Sequence, residues 1–137
     1  MPERNLVELQ TLGFQIAGKF ILEDKKLLFR LNKNGNDRGS YVFVVNEKVK
    51  YVGVTKNSLY ARMNGYKNPG STQETNKRIK PELVKAGVVL IYFLPESDIT
   101  KFATTIRGKG FEKQIPTDMS TFERFLISVF QPEWNRY

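Results

Sequence analysis

The chain has 137 residues, of which 40% are hydrophobic and 12% aromatic, and its formal net charge is +8. This length suits one domain that buries its own core, and no apolar run reaches the ~18 residues that would span a bilayer. The start is polar and unlike a signal peptide, so we expect a soluble cytoplasmic protein with no membrane partner. The sequence has no cysteine and no histidine, which excludes disulfides, thiolate nucleophiles, imidazole bases and Cys/His zinc sites.

The first 38 residues are predicted to form a helix and a β-hairpin. Leu6, Leu9 and Leu12 recur at helical spacing before Gly13, a common helix terminator. Alternating apolar residues then predict two strands around a turn at residues 23–26. On one face of the first strand we expect Phe14, Ile16, Phe20 and Leu22. The polar residues 32–39 form a loop, and residues 1–38 are interpreted as an extension because about 38 residues rarely fold alone.

A second hairpin is predicted next, and each of its strands carries a tyrosine, Tyr41 or Tyr51. The strands are predicted at residues 40–46 and 49–54. Because strand side chains alternate between faces, the tyrosines share a face only if paired residue numbers sum to an even value, as with Phe43 opposite Tyr51. We therefore expect a loop of odd length, such as 46–48. A two-residue turn would put the tyrosines on opposite faces.

The second half of the chain is predicted to hold three helices and one strand. A short helix follows Asn57 or Ser58, either of which suits an N-cap, and it turns Leu59, Met63 and Tyr66 to one side. A second helix lies within residues 75–86, contains Pro81 and ends at Gly87, and the apolar run 88–94 suits a buried central strand.

The remaining C-terminal part is less regular. Residues 95–118 are interpreted as a loop with a possible short helix. A last helix begins near Ser120 and ends before Pro132. Its core-facing residues are predicted to be Phe122, Phe125, Leu126 and Val129.

Positive charge is concentrated around the second hairpin. Residues 41–80 hold eight Lys or Arg and two acidic residues, a net charge of +6, whereas residues 81–137 hold seven of each. A basic surface suits a polyanion such as nucleic acid, although an acidic protein or a membrane surface would also fit. Charge alone does not choose among them.

An ordered set of motifs distinguishes among these possible partners. The chain contains Gly39-Ser40-Tyr41, then Tyr51-Val52-Gly53, then Arg62, Glu123 and a terminal Trp134-Asn135. Over about residues 39–135 this set resembles the GIY-YIG nucleases, although Ser40 replaces the usual isoleucine. The resemblance implies an α+β fold with a small three-stranded, mainly antiparallel sheet flanked by helices. It implies a compact nuclease domain at residues 39–137, extended by the N-terminal helix and hairpin.

The resemblance also implies roles for individual residues. A tyrosine would take the proton of the attacking water, Arg62 would hold the scissile phosphate, and Glu123 would bind Mg²⁺ or Mn²⁺. The catalytic residues implied are Tyr41, Tyr51, Arg62, Tyr66, Glu123 and Asn135. Nucleic-acid contacts are predicted at Gly53, Lys56, Lys67, Lys77, Arg78 and Lys80.

Each assignment has a plainer alternative. Ser120-Thr121-Phe122-Glu123 is also a capping-box sequence, in which Glu123 would bond back to the N-cap amide. Asn135 is either a residue that orients the site or, with Trp134, a packed C-terminal lock. Tyr66 is nearly as well explained by core packing.

The resulting prediction is a metal-dependent DNA endonuclease. It would cut in one step by in-line attack of water and leave 5′-phosphate and 3′-hydroxyl ends. The alternatives are an inactive module of the same fold that binds nucleic acid and a domain whose positive face meets an acidic protein. The sequence leaves open the biological role, the DNA specificity, the oligomeric state and the choice of general base between the two tyrosines.

Overall fold

The computed structural model describes residues 2–67, 76–106 and 118–135. The described residues contain five helices and five strands. In chain order they are α1 (Pro2–Thr11), β1 (Gln15–Glu23), β2 (Lys26–Leu31), β3 (Gly39–Val45), β4 (Lys48–Thr55), α2 (Leu59–Lys67), α3 (Asn76–Ala86), β5 (Val89–Pro95), α4 (Glu96–Ile106) and α5 (Met119–Phe130).

The strands form one sheet in the order β2-β1-β5-β3-β4, with every neighbouring pair antiparallel. The expectation of a three-stranded sheet is therefore wrong. The N-terminal hairpin joins the same sheet, because β1 pairs with β5 and covers a row of backbone groups that would otherwise lie at an open edge. As expected from its apolar run, β5 lies at the centre of the sheet.

Each face of the sheet has its own hydrophobic core. The tyrosine face carries Tyr41, Phe43 and Tyr51, and α2 and α3 cover it. The aliphatic face carries Val42 and Val44, and α1, α4 and α5 cover it. The buried α2 residues are Leu59, Met63 and Tyr66, as predicted.

The β3–β4 hairpin contains a β-bulge that corrects the parity of its turn. The turn has two residues, Asn46 and Glu47, both with positive φ, and it pairs Val45 with Lys48. The expected odd loop is therefore wrong, and this turn alone would separate the tyrosines. Between the pairs Val44–Val49 and Phe43–Tyr51, however, Lys50 is an extra residue. The predicted pairing of Phe43 with Tyr51 is confirmed, and both tyrosines lie on one face.

A second bulge overturns the prediction for β1. The register against β5 shifts between Ile16 and Gly18, which leaves Ala17 as the extra residue. Phe14 therefore packs in the aliphatic-face core and Ile16 is 45% exposed, whereas Ala17 and Phe20 enter the tyrosine-face core. The prediction that Phe14, Ile16, Phe20 and Leu22 lie on one face of the strand is therefore wrong.

Two of the helices differ from the sequence prediction. Residues 96–106 form α4, where only a loop with a possible short helix was expected. The acidic residues Glu96 and Asp98 in its first turn favour a helix start and were an overlooked signal. In α5, Phe130 is buried where Val129 was predicted, and Val129 is exposed. The bounds predicted for α1, α2 and α3 agree with the structure to within a few residues.

Candidate active site

The site is built where α2 crosses the tyrosine face. Tyr41 of β3 and Tyr51 of β4 have ring centroids 6.2 Å apart, and the ring of Tyr66 from α2 lies 6.1 Å from Tyr41 and 6.5 Å from Tyr51. Phe43 closes the cluster, with its ring 5.6 Å from Tyr51. Ser58 caps α2 by accepting a hydrogen bond from the Ala61 amide, which sets where the helix begins.

Arg62 is fixed by two of these tyrosines. Its Nε donates to the Tyr41 hydroxyl at 2.9 Å, and its Nη2 donates to the Tyr66 hydroxyl at 3.2 Å. The two hydroxyl oxygens are 2.6 Å apart, and the guanidinium carbon lies 4.8 Å from the centre of the Tyr66 ring. The sequence therefore brings together Tyr41, Arg62 and Tyr66 in one hydrogen-bonded group.

The buried tyrosines stay protonated. Burial raises the pKa of Tyr41, the neighbouring Tyr51 raises it further, and Arg62 only partly opposes this. Burial likewise raises the pKa of Tyr66, with Tyr41 and Tyr51 adding to the effect. Burial alone would lower the pKa of Arg62, but its contacts with the tyrosine hydroxyls outweigh that effect, so its pKa rises and the guanidinium keeps its charge.

Tyr51 differs from the other two tyrosines in exposure. Tyr41 is completely buried and Tyr66 is 2% exposed, whereas Tyr51 is partly exposed. The hydroxyl of Tyr51 makes no hydrogen bond to any other residue within the described ranges. Of the three tyrosines in the cluster, Tyr51 is thus the one with solvent exposure beyond 2%.

Gly53 lies directly opposite Tyr41 in the hairpin. A Cβ at this position would overlap the Tyr41 ring, so the space left by the missing side chain is filled by that ring. Ser40 is buried and donates from its hydroxyl to the Gly53 carbonyl at 3.1 Å. A direct contact of Gly53 with DNA stays a prediction.

Glu123 lies on α5 and is half-buried. The helix begins at Met119, and its N-cap is Asp118, which accepts hydrogen bonds from the Thr121 amide and hydroxyl at 2.9 Å. These bonds lower the pKa of the exposed Asp118 carboxyl. Because the N-cap is Asp118, the capping-box position is Thr121, and Glu123 lies two residues too far along the helix to close the box. The alternative interpretation of Glu123 as a helix cap is therefore wrong.

The electrostatics connect Glu123 to Arg62. Burial raises the pKa of Glu123, and the guanidinium groups of Arg62 and Arg124 partly oppose the rise. The Arg62 guanidinium is therefore one of the two positive groups that act on the Glu123 carboxyl. Within the part of the chain that is described, no group of three or more acidic side chains lies close enough to hold a metal ion together.

Asn135 is bound to the backbone of β4. Its side-chain oxygen accepts from the Val52 amide and its side-chain nitrogen donates to the Val52 carbonyl, both at 2.9 Å. The Trp134 amide donates to the Lys50 carbonyl at 2.8 Å, and its ring packs 6.5 Å from Phe43. Both groups of the amide are occupied by β4, which favours the interpretation of Trp134-Asn135 as a C-terminal lock.

The predicted nucleic-acid contacts are distributed over two regions. Lys56 is exposed and lines a cavity of about 410 Å³ beside Asn57 and Glu96. Arg78 is partly exposed on α3, near enough to lower the pKa of Glu133, and Lys80 is exposed on the same helix. The side chains of Lys67 and Lys77 lie outside the described residues.

Sequence reasoning missed an ion pair at the hairpin and the N-cap of α5. Lys50 and Glu133 form an ion pair at 2.7 Å, and this pair lowers the pKa of Glu133. The residues are 83 positions apart, so no local pattern connects them. Asp118 was also missed, although an aspartate three residues before Thr121 at the start of an apolar run is itself an N-cap signal.

Comparisons with known proteins identify the fold. No protein-family model matches the sequence, and no curated protein matches it. A structure of a bacteriophage T4 EndoII mutant matches over 99% of this chain and 100% of its own, with a TM-score of 0.69 and 16% identity. A structure of the restriction endonuclease HPY188I in complex with product DNA matches over 83% and 82%, with a TM-score of 0.51 and 19% identity. At such low identities the likeness concerns the fold alone. None of the described helices is long and apolar enough to cross a membrane. The chain is an α+β protein with the fold of these two structures.

Proposed function

We propose that this protein is a metal-dependent DNA endonuclease of the GIY-YIG type, with its chemistry in residues 39–137 and its substrate in the cytoplasm. The observation that carries the proposal is the grouping of Tyr51, Arg62 and Tyr41, with Glu123 within the electrostatic reach of Arg62. Support for DNA as the substrate comes from the basic segment 41–80 and from the fold shared with a restriction endonuclease in complex with product DNA.

Arg62 is suited to bind the scissile phosphate. Two of its five N–H donors are occupied by Tyr41 and Tyr66, and the rest, including both on Nη1, have no partner among the described residues. The occupied donors fix the plane of the guanidinium, and the others are left to meet phosphate oxygens in a fork. A prepositioned positive group stabilises the charge that grows on the phosphate in the transition state.

Tyr51 is the better candidate for the residue that takes the proton from water. Tyr41 is completely buried, accepts a hydrogen bond from Arg62 and has a raised pKa, so it is poorly placed to accept a proton from solvent. In our proposal Tyr41 is a positioning residue that acts through Arg62, and Tyr66 has the same role. Tyr51 is partly exposed and lies beside them.

Glu123 fits a site for Mg²⁺ or Mn²⁺. Mg²⁺ often binds to one or two carboxylates, keeps several waters and completes its coordination with substrate phosphates, so a single half-buried carboxylate is sufficient. When bound, such an ion supplies stabilisation of negative charge on the phosphate and the leaving oxygen. Glu123 must be ionised to hold it. The partial burial that raises the pKa of Glu123 shifts this ionisation to higher pH than for an ordinary glutamate.

The reaction follows from these roles. Water attacks the phosphorus in line with the departing 3′ oxygen, the phenolate form of Tyr51 accepts the water proton, and Arg62 holds the non-bridging oxygens. One P–O bond forms and one breaks, and the departing 3′ oxygen takes a proton from solvent, which leaves a 5′-phosphate and a 3′-hydroxyl.

Plasmid cleavage tests the proposal. Purified protein with supercoiled DNA and Mg²⁺ or Mn²⁺ is expected to give nicked or linear products whose ends DNA ligase can seal without prior treatment. Glu123→Ala is expected to bind the same DNA without cutting it. Tight, salt-sensitive binding without cleavage by the wild type would identify an inactive binding module instead. Cleavage by Glu123→Ala at the wild-type rate would remove the metal role of Glu123.

A further inference from the structure

The Lys50 bulge is held from outside the hairpin by the segment Glu133–Asn135, here named the C-terminal latch. Glu133 pairs with the Lys50 ammonium at 2.7 Å, and the Trp134 amide donates to the Lys50 carbonyl at 2.8 Å. Asn135 then makes two hydrogen bonds to the backbone of Val52. The latch thus binds the two residues that flank Tyr51 in the sequence.

This position matters because a hairpin with the same turn and no bulge would have a different register. Without the bulge, the two-residue turn that pairs Val45 with Lys48 would continue in regular pairing and place Lys50 opposite Phe43. Tyr51 would then lie on the aliphatic face, since a shift of one residue moves every following side chain to the other side of the sheet. Tyr51 would leave Tyr41 and Arg62 on the opposite side.

The contacts of Lys50 favour the bulged register. Its side chain is only 15% exposed, so its ammonium needs a partner near the edge of the sheet, and Glu133 provides one. In the regular register Lys50 would point into the aromatic cluster and lose this partner. The backbone bonds of Trp134 and Asn135 also require the carbonyl of Lys50 and both backbone groups of Val52 to face the open edge of β4.

We propose that Lys50 and Glu133 are positioning residues, which, with Trp134 and Asn135, hold the bulge and thereby keep Tyr51 on the tyrosine face. Neither residue touches the substrate in this account. The catalytic consequence rests on the proposed nuclease function, whereas the structural consequence does not. The latch therefore predicts effects on backbone order as well as on turnover.

Hydrogen exchange and single-turnover cleavage, measured on the same variants, test the proposal. Glu133→Gln and Lys50→Met are expected to speed exchange of the Val52 amide at least about threefold, as for an ion pair with one largely buried partner. The emission of Trp134, the sole tryptophan of the chain, should shift towards that of an exposed indole. The maximal cleavage rate should fall while the DNA concentration for half-maximal rate stays unchanged.

Two further variants separate the latch from general destabilisation. Glu23→Gln breaks an exposed ion pair with Arg30 on the opposite edge of the sheet, 3.5 Å long, and should leave both the Val52 exchange and the cleavage rate at wild-type values. The double change Lys50→Glu with Glu133→Lys restores the pair in reverse and should recover slow exchange and cleavage.

The outcomes are distinct for the two proposals. Unchanged Val52 exchange in both Glu133→Gln and Lys50→Met would overturn the latch, whatever the cleavage results. Faster exchange with an unaltered cleavage rate would refute the positioning role of Lys50 and Glu133. If the wild type cuts no DNA at all, the proposed nuclease function fails, and the exchange and fluorescence results still decide whether the latch exists.

Discussion

Replacing Gly53 by alanine tests whether the Tyr41 ring must lie where the structure has it. The new Cβ would overlap Cζ of Tyr41 and lie 2.5 Å from its hydroxyl oxygen and 2.8 Å from Cε2. The ring is completely buried and packs against Phe43 and Tyr66, so it has no free direction in which to move. Overpacking of this kind costs about 1–3 kcal/mol. The displaced hydroxyl would also release Arg62, and a shift of about 1 Å in a positioning group costs roughly 10²-fold in rate.

Gly65→Ala is the matched control, because it adds the same methyl group within α2. A Cβ there meets no atom of the described residues within 4 Å, and alanine in a helix is more favourable than glycine by roughly 0.5–1 kcal/mol. Urea unfolding should therefore show a loss of stability for Gly53→Ala and a small gain for Gly65→Ala. Cleavage should fall only in Gly53→Ala. If Gly53→Ala is as stable and active as the wild type, the close packing of Tyr41 on Gly53 is refuted.

Three further predictions concern the site. Tyr51→Phe should lower the single-turnover rate by about 10²–10⁴-fold with little change in stability. Tyr41→Phe should lower the free energy of unfolding in urea by about 1–3 kcal/mol because Arg62 loses a buried acceptor. A larger loss of rate in Tyr41→Phe than in Tyr51→Phe would make Tyr41 the base. Arg62→Lys should keep the positive charge but lose the hydrogen bonds to two hydroxyls, so the cleavage rate should fall by more than about twofold. A cleavage rate within about twofold of the wild-type rate would contradict the role of the planar guanidinium. Because burial raises the pKa of Glu123, cleavage should disappear as the pH falls through a value above the pKa of an ordinary glutamate. Glu123→Gln should raise the melting temperature at neutral pH, because the wild type carries a partly buried charge there. A lower melting temperature for Glu123→Gln would show that the carboxylate is stabilised in the fold.

The local patterns of the sequence predicted most of the elements. Gly13 and Gly87 end α1 and α3 with positive φ, as glycine allows, and the apolar run at 88–94 became the central strand. The Phe43–Tyr51 register followed from the requirement that the two tyrosines share a face. These features depend on spacing within a few residues, which a sequence displays directly.

The features that the sequence did not predict depend on distant contacts. The Lys50 bulge reaches the same register by a different route from the expected odd loop, and its stabilising contacts come from a segment 83 residues away. The Ala17 bulge arises in pairing with β5, and the five-stranded sheet depends on the same pairing. Local sequence patterns do not indicate these distant pairings.

The site shows the same division between local and distant information. The motif spacing brought Tyr41, Tyr51 and Arg62 together, but their unequal exposure depends on packing by Tyr66 and Phe43. That difference is what separates the proposed roles of the two motif tyrosines. A local sequence cannot supply it, because both tyrosines belong to similar β-branched runs.

A structure of Glu123→Gln with an uncleaved DNA duplex and Mg²⁺ is the decisive test of the proposed active site. We expect a single backbone phosphate to lie against the free side of the Arg62 guanidinium, with the Tyr51 hydroxyl facing the side of the phosphorus opposite the 3′ oxygen. DNA bound on another surface, with Arg62 and Tyr51 both out of contact with any phosphate, would contradict the proposed site.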